Sequence, residues 1–151
     1  MCIRDRGVGI EASPAAAALA RANVQKSGLL ERAEITVSEW QDSHGWSEWD
    51  LIISNPPYIE TAVIDSLQPE VRLHDPHVAL DGGVDGLDAY RSIFACGENI
   101  RSGTPMVLEI GFDQGDSVPE LATSFGFKVC GLQNDLGGNP RAVMVKKTSE
   151  K

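Results

Sequence analysis

The sequence predicts an α/β fold, a mostly parallel sheet with crossover helices and a closing antiparallel hairpin. Three observations carry this. Short apolar runs alternate with helical stretches along the chain, as in βαβ units. The run Asp50–Ser54 is β-branched and stops at Asn55 and two prolines, which cannot donate to a ladder. No repeat, low-complexity tract or linker divides the 151 residues, a length that suits one domain.

The elements follow in order. Gly7–Ala12 is short and partly apolar and reads as a strand. Ser13 is a good N-cap and Pro14 fits the first helical position, so Ala15 to Lys26 is an alanine-rich helix, with Gly28 as its stop. Ala33–Ser38 alternates apolar and polar residues, as a half-buried strand does. Asp50–Ser54 is the next strand. From Tyr58 to Asp85 no period holds, and Pro, Gly, His and Asp are frequent. This is a long loop with small elements, and long loops in compact domains are more often functional than neutral. Leu87–Ile100 reads as a helix, Pro105–Ile110 as a strand and Asp116–Ser124 as a short helix. Gly126–Leu132 and Arg141–Val145 flank a Gly/Asn/Pro turn and form an antiparallel pair at a sheet edge.

Composition narrows the function classes. Acidic residues number 22 and basic residues 13, for a net charge of −9. Neither nucleic acid nor an anionic membrane surface attracts such a chain non-specifically. No apolar run approaches the ~18 residues of a membrane span. Met1–Arg6 has no apolar segment of the secretory kind. Cys2, Cys96 and Cys130 lie far apart and form no CxxC pair, which fits a reducing, cytoplasmic setting.

The sharpest motif is Asn55-Pro56-Pro57-Tyr58, directly after an apolar strand. Ligands of a parallel α/β sheet sit beyond the carboxyl ends of its strands. The Asn55 carboxamide both donates and accepts, which a planar amide or amidine-like substrate needs. Pro56 and Pro57 have no N–H and present carbonyls at a fixed φ, suited to hold the hydrogens of an NH2 group. Tyr58 supplies a flat ring to pack on a planar group. The bland alternative is a strand-terminating Pro-Pro turn with an exposed tyrosine. His74 and His77 have HxxH spacing but no third ligand at a sensible distance, so no metal is expected. Phosphate-binding and acyl-hydrolase motifs are lacking too.

Asp50–Ile59 resembles the amino-methyltransferase signature of class I S-adenosylmethionine-dependent enzymes. His74–Leu87 (HDPHVALDGGVDGL) resembles the E-P-x-x-A-L-x-G-G-x-D-G-L stretch of protein-(glutamine-N5) methyltransferases of the HemK/PrmC type. Leu108–Gly115 resembles that family's late strand and turn, and Asn134–Arg141 its final hairpin. The resemblance implies a Rossmann-like methyltransferase fold. It implies S-adenosyl-L-methionine as methyl donor and the Gly-Gly-Gln glutamine of a peptide chain release factor as acceptor. Glu11 would bind the ribose hydroxyls, and Glu39 and Trp40 would flank the adenine. Asn55 would touch both cofactor and substrate amide, with Pro56, Pro57 and Tyr58 completing the substrate and catalytic site. Asp75, which stands where the family has Glu, would orient the loop around Asn55.

Alternatives of neighbouring chemistry are a ribosomal-protein glutamine methyltransferase and a nucleic-acid adenine methyltransferase, whose signatures share the tetrapeptide. A non-catalytic remnant is an alternative of another class. The family's first strand and Gly-rich cofactor loop have no counterpart, and residues 1–6 do not resemble the family. The expectation is therefore a partial catalytic domain over residues 7–151 that binds cofactor weakly and is inactive alone. The second and fourth family strands, Gly7–Ala12 and Asp50–Ser54, would each keep an open edge. The sequence leaves the oligomeric state open.

Overall fold

The computed structural model describes residues 5–148. The chain divides into two compact units between His44 and Gly45.

The first unit is a β-α-β segment. Strand β1 (Gly7–Glu11) pairs in parallel with β2 (Ala33–Val37), with Gly7 opposite Ala33 and Glu11 opposite Val37. Helix α1 (Pro14–Lys26) connects them. Its start is the one expected: Ser13 caps it, the hydroxyl accepting from the Ala16 N–H at 3.3 Å, and Pro14 takes the first turn. Its end is a Schellman turn. Gly28 adopts φ +68°, its N–H donates to Gln25, and the Leu29 N–H reaches Val24. Among the described residues of this unit only Ala17 is a buried apolar residue. Strand β1 stops one residue earlier than expected. The Glu11 carboxylate accepts from the Ser13 N–H at 2.8 Å, which turns the chain at Ala12.

The second unit carries a four-stranded sheet in the order β3 (Ile52–Ser54), β4 (Pro105–Glu109), β6 (Pro140–Lys147), β5 (Phe127–Asn134). β3 and β4 pair in parallel; β6 opposes both β4 and β5. Three of the four strands therefore run one way. β3 lies at one edge of its sheet and β1 at one edge of the other. β3 is two residues shorter than the apolar run suggested. Before Ile52 the chain is held by side chains instead: the Thr104 hydroxyl donates to the Trp49 carbonyl, and Arg101 pairs with Asp50 at 2.7 Å.

The core sits on the helical face of this sheet. Met106 and Leu108 of β4 face Val145 and Val143 of β6 in register, and all four are fully buried. Each such side chain contributes about 1.5–3 kcal/mol relative to exposure. Helix α3 (Asp88–Ala95) adds Tyr90, Ile93 and Phe94, and α4 (Ser117–Ser124) adds Val118 and Ala122. Phe94 meets Phe127 with ring centroids 5.2 Å apart. The helix expected over Leu87–Ile100 is split. After Ala95 it tightens to a 3₁₀ turn at Cys96–Asn99. Close packing follows at this turn: a Cβ on Gly97 would lie 2.9 Å from the Phe127 ring.

Between β3 and α3 lie short pieces, as the lack of period suggested. They are a 3₁₀ stretch at Thr61–Ser66, helix α2 (Pro69–His74) and a 3₁₀ turn at His77–Ala79. Among the described residues no helix is long and apolar enough to cross a membrane.

Candidate active site

Asn55 follows β3 directly and is exposed, while Pro56 behind it is buried. The turn therefore stands on a packed proline and offers its carboxamide outward, beyond the carboxyl end of the strand. Tyr58 is half-buried, and its surroundings fix it at both ends.

At the ring end, the Tyr58 hydroxyl donates to Glu109 Oε1 at 3.1 Å and accepts from Arg141 Nη1 at 3.3 Å. Arg141 also lies 3.9 Å from the Glu109 carboxylate and 3.4 Å from that of Asp135. Burial, and then the negative charge of Glu109, hold the phenol above its ordinary pKa, with Arg141 opposing. The hydroxyl stays protonated and remains a donor. Glu109 ends β4 and Arg141 is the second residue of β6, on adjacent strands of one sheet. The Asp135 carboxylate caps the hairpin turn by accepting from the Gly137 and Asn139 N–H groups, which lowers its pKa together with Arg141.

At the backbone end, Gln114 Nε2 donates to the Tyr58 carbonyl at 3.3 Å and to the Gly86 carbonyl at 3.0 Å. Its Oε1 accepts from the Gly111 N–H at 2.9 Å, and the Tyr90 hydroxyl lies 3.3 Å away. That hydroxyl's shorter bond is to the Glu109 carbonyl, at 2.8 Å. Burial pushes the Tyr90 phenol far above its ordinary value, so it too stays protonated.

The long loop closes against the turn. Ile59 and Asp81 form a parallel bridge, with the Ile59 N–H on Leu80 and the Gly82 N–H on Ile59. Two glycines permit this approach. A Cβ on Gly82 would sit 2.8 Å from Tyr58 Cα, and one on Gly86, at φ +70°, would sit 2.5 Å from the Tyr58 carbonyl oxygen. The acid that braces this loop is Asp81, and not Asp75 as expected. Asp81 accepts from the Thr61 hydroxyl at 2.7 Å and the Gly83 N–H at 2.9 Å, which lowers its pKa. Asp75 is exposed, with no side-chain hydrogen bond among the described residues. His77 stands 3.7 Å from Asp81. No group of three His, Cys, Asp or Glu suited to a metal ion occurs among the described residues.

The first unit brings Glu11, Glu39 and Trp40 to one end of its sheet. The Ser38 N–H donates to the Glu11 carbonyl, so the acid of β1 lies beside the segment that leaves β2. Glu11 is half-buried, and among the described residues the Ser13 N–H is its sole side-chain partner. A carboxylate with an oxygen left open at a strand end suits a vicinal diol. Glu39 is exposed and Trp40 half-buried, an acid and a flat indole open to a heteroaromatic ring. Two acceptor carboxylates and a flat indole fit the ribose hydroxyls and adenine of S-adenosylmethionine.

A relative from Caulobacter vibrioides, named release factor glutamine methyltransferase, is 41% identical over 92% of this chain and 48% of its own length. Its namesake from Agrobacterium fabrum is 40% identical over 97% of the chain and 50% of its own length. Its sequence relatives are release factor glutamine methyltransferases. The chain spans about half the length of these curated relatives. No family model matches. Among solved structures, a methyltransferase from Pyrococcus furiosus superimposes with a TM-score of 0.64 at 12% identity, over 95% of this chain and 64% of that one. The cyclase SpnF gives 0.63 at 9%, over 97% and 68%. A Salinibacter ruber RNA methyltransferase in complex with S-adenosyl-L-homocysteine gives 0.50 at 20%, over 97% and 68%. The fold is thus that of class I S-adenosylmethionine-dependent methyltransferases. The cyclase shows that this fold alone does not fix the reaction.

Glu109, Gln114, Tyr90 and Arg141 received no role from the sequence. Glu109, Gln114 and Arg141 lie in the two late stretches that carried the resemblance, but nothing local to them points back to Tyr58.

Proposed function

We propose that the protein carrying this chain transfers a methyl group from S-adenosylmethionine to the side-chain amide nitrogen of a glutamine, in the Gly-Gly-Gln loop of a peptide chain release factor. The observation that carries the reading is Asn55, an exposed carboxamide at a strand's carboxyl end, followed by two residues without N–H. The names of the relatives support the acceptor, and the cytoplasm is where such an acceptor is met.

Glu11 would hold the ribose hydroxyls of the cofactor, with Glu39 and Trp40 at its adenine. The bound cofactor supplies an electrophilic methyl group. An amide nitrogen is a poor nucleophile because its lone pair is delocalised, so position and hydrogen bonding do the catalysis. The Asn55 oxygen and the Pro56 carbonyl accept from the two N–H groups of the substrate amide and aim its nitrogen. Pro57 keeps the turn extended, and Tyr58 packs on the amide plane. Tyr58 is suited to this because its hydroxyl is tied to Glu109 and Arg141, which stops the ring from turning. Glu109 is engaged in holding Tyr58 and takes no part as a base; the proton that the nitrogen sheds on methylation would pass to solvent water.

Incubation of the full-length protein with labelled cofactor and a release factor should add one methyl group to that glutamine. Replacing the glutamine should remove the signal. Methylated adenine in added DNA, found instead by mass spectrometry, would overturn the reading.

A further inference from the structure

Gln114 is 6% exposed, one of two buried polar residues among those described. A buried carboxamide is costly unless its donors and acceptors are met. Here they are met, and by three separate stretches of chain. Its two N–H groups go to Tyr58 and Gly86, and its oxygen takes the Gly111 N–H with Tyr90 close by. The Gly86 side has no slack. A single carbon there would press on both the Tyr58 oxygen and, at 2.8 Å, Gln114 Nε2.

We infer that Gln114 is a positioning residue for the Asn-Pro-Pro-Tyr turn, setting the Tyr58 carbonyl and through it the height of the turn above the sheet. The inference rests on the amide-methylation reading above. Only a neutral side chain with two donors and an acceptor fits these partners. Gln114→Glu keeps the shape and places a carboxylate against two carbonyl oxygens. Protonation restores one donor, and burial beside carbonyls raises the pKa of such an acid toward neutrality. The variant should therefore respond to pH where the parent does not.

The test measures kcat and KM for glutamine methylation in the full-length protein, from about pH 6 to about pH 8.5, a range that brackets the titration of a buried acid. It is paired with the ring signals of ¹³C-labelled tyrosine, Tyr58 being assigned by Tyr58→Phe. For Gln114→Glu, kcat should fall roughly tenfold or more at the alkaline end and recover to within about threefold at the acid end, with cofactor affinity unchanged. The Tyr58 signal should shift with the same midpoint. Full activity of Gln114→Glu at alkaline pH, or a Tyr58 signal unmoved by the substitution, overturns the inference. Should Gln114→Glu fail to fold, Gln114→Met removes the hydrogen bonds without adding charge. It should lower kcat at every pH while leaving cofactor affinity intact, and a folded, fully active Gln114→Met overturns the inference. If the parent methylates no glutamine, the functional reading fails by itself. The Tyr58 signal then decides the positioning role, a pH-linked shift in Gln114→Glu supporting it and its absence overturning it.

Discussion

Residues 5–44 contribute one buried apolar side chain, Ala17, whereas residues 45–148 contribute all the others among those described, from Trp46 to Val145. In the first segment Leu19, Leu29 and Leu30 stand exposed, and the helix owes its limits to Ser13, Pro14 and Gly28. In the second, Met106, Leu108, Val143 and Val145 interlock across a strand pair. One region is specified by local signals along the chain, the other by side chains meeting across it. The same contrast runs through the candidate residues. Glu11, Glu39 and Trp40 sit at an open strand end with few constraints. Tyr58 is held by Glu109, Arg141 and Gln114.

The most direct way to break this contrast is a pair of truncations. Leu108→Ala should destabilise the protein by about 2–5 kcal/mol, the usual cost of emptying a buried leucine site. Leu19, at 65% exposure, should change stability by no more than about 0.5 kcal/mol when made alanine. Urea denaturation followed by circular dichroism measures both, and equal losses would erase the distinction.

A second pair separates the two sites. In the full-length protein, Asn55→Ala should lower the rate of glutamine methylation by at least ~10²-fold, as loss of a transition-state hydrogen-bonding group does. Its cofactor affinity should fall much less. Glu11→Ala should do the reverse, weakening cofactor binding roughly tenfold or more through a lost charge-assisted bond. Calorimetric titration and methyl incorporation together resolve the two, and a matched loss in both variants would dissolve the division of labour.

Tyr58→Phe sharpens the picture further. It keeps the ring and removes the hydroxyl anchor. The bond is only half-buried, so a loss of about 1 kcal/mol, or roughly fivefold in rate, is expected. An unchanged rate would mean that packing alone orients the ring.

The smallest effect concerns an exposed acid at the loop's end. Asp85 is held down to about 2 by its hydrogen bonds from Arg91. A carboxyl depressed in the folded state adds stability above its unfolded value, and that stability is lost as pH falls through the folded value. Stability should thus fall between about pH 4 and about pH 2 less steeply in Asp85→Asn than in the parent. Identical acid-unfolding curves would show that the Arg91 pair contributes nothing, as many surface pairs do.

How much of this was legible follows the same contrast. Helix α1 could be placed almost to the residue because its caps lie within the helix's own few turns. The turn at Asn55 was legible because two consecutive prolines end a strand wherever they occur. The anchors of Tyr58 were not, since they sit 51, 56 and 83 residues further on, and no period in one sequence reports which strands become neighbours. The bracing acid was misplaced for a related reason. Asp75 and Asp81 lie in one loop, and only the Ile59–Asp81 bridge decides which of them meets Thr61.

Strand β6 has a consequence for the order of assembly. It enters between β4 and β5 although it is made after both, and it brings Arg141 to the Tyr58 hydroxyl. On the ribosome, β4 and β5 emerge with no partner between them, and each shows bare N–H and C=O groups until residues 140–147 arrive. Contacts this distant in sequence form late and slowly. The nascent chain therefore carries its Asn-Pro-Pro-Tyr turn well before Arg141 can reach it. Arrest of synthesis before Pro140 would release a species with exposed strands and a loose turn, material for a chaperone rather than for a substrate.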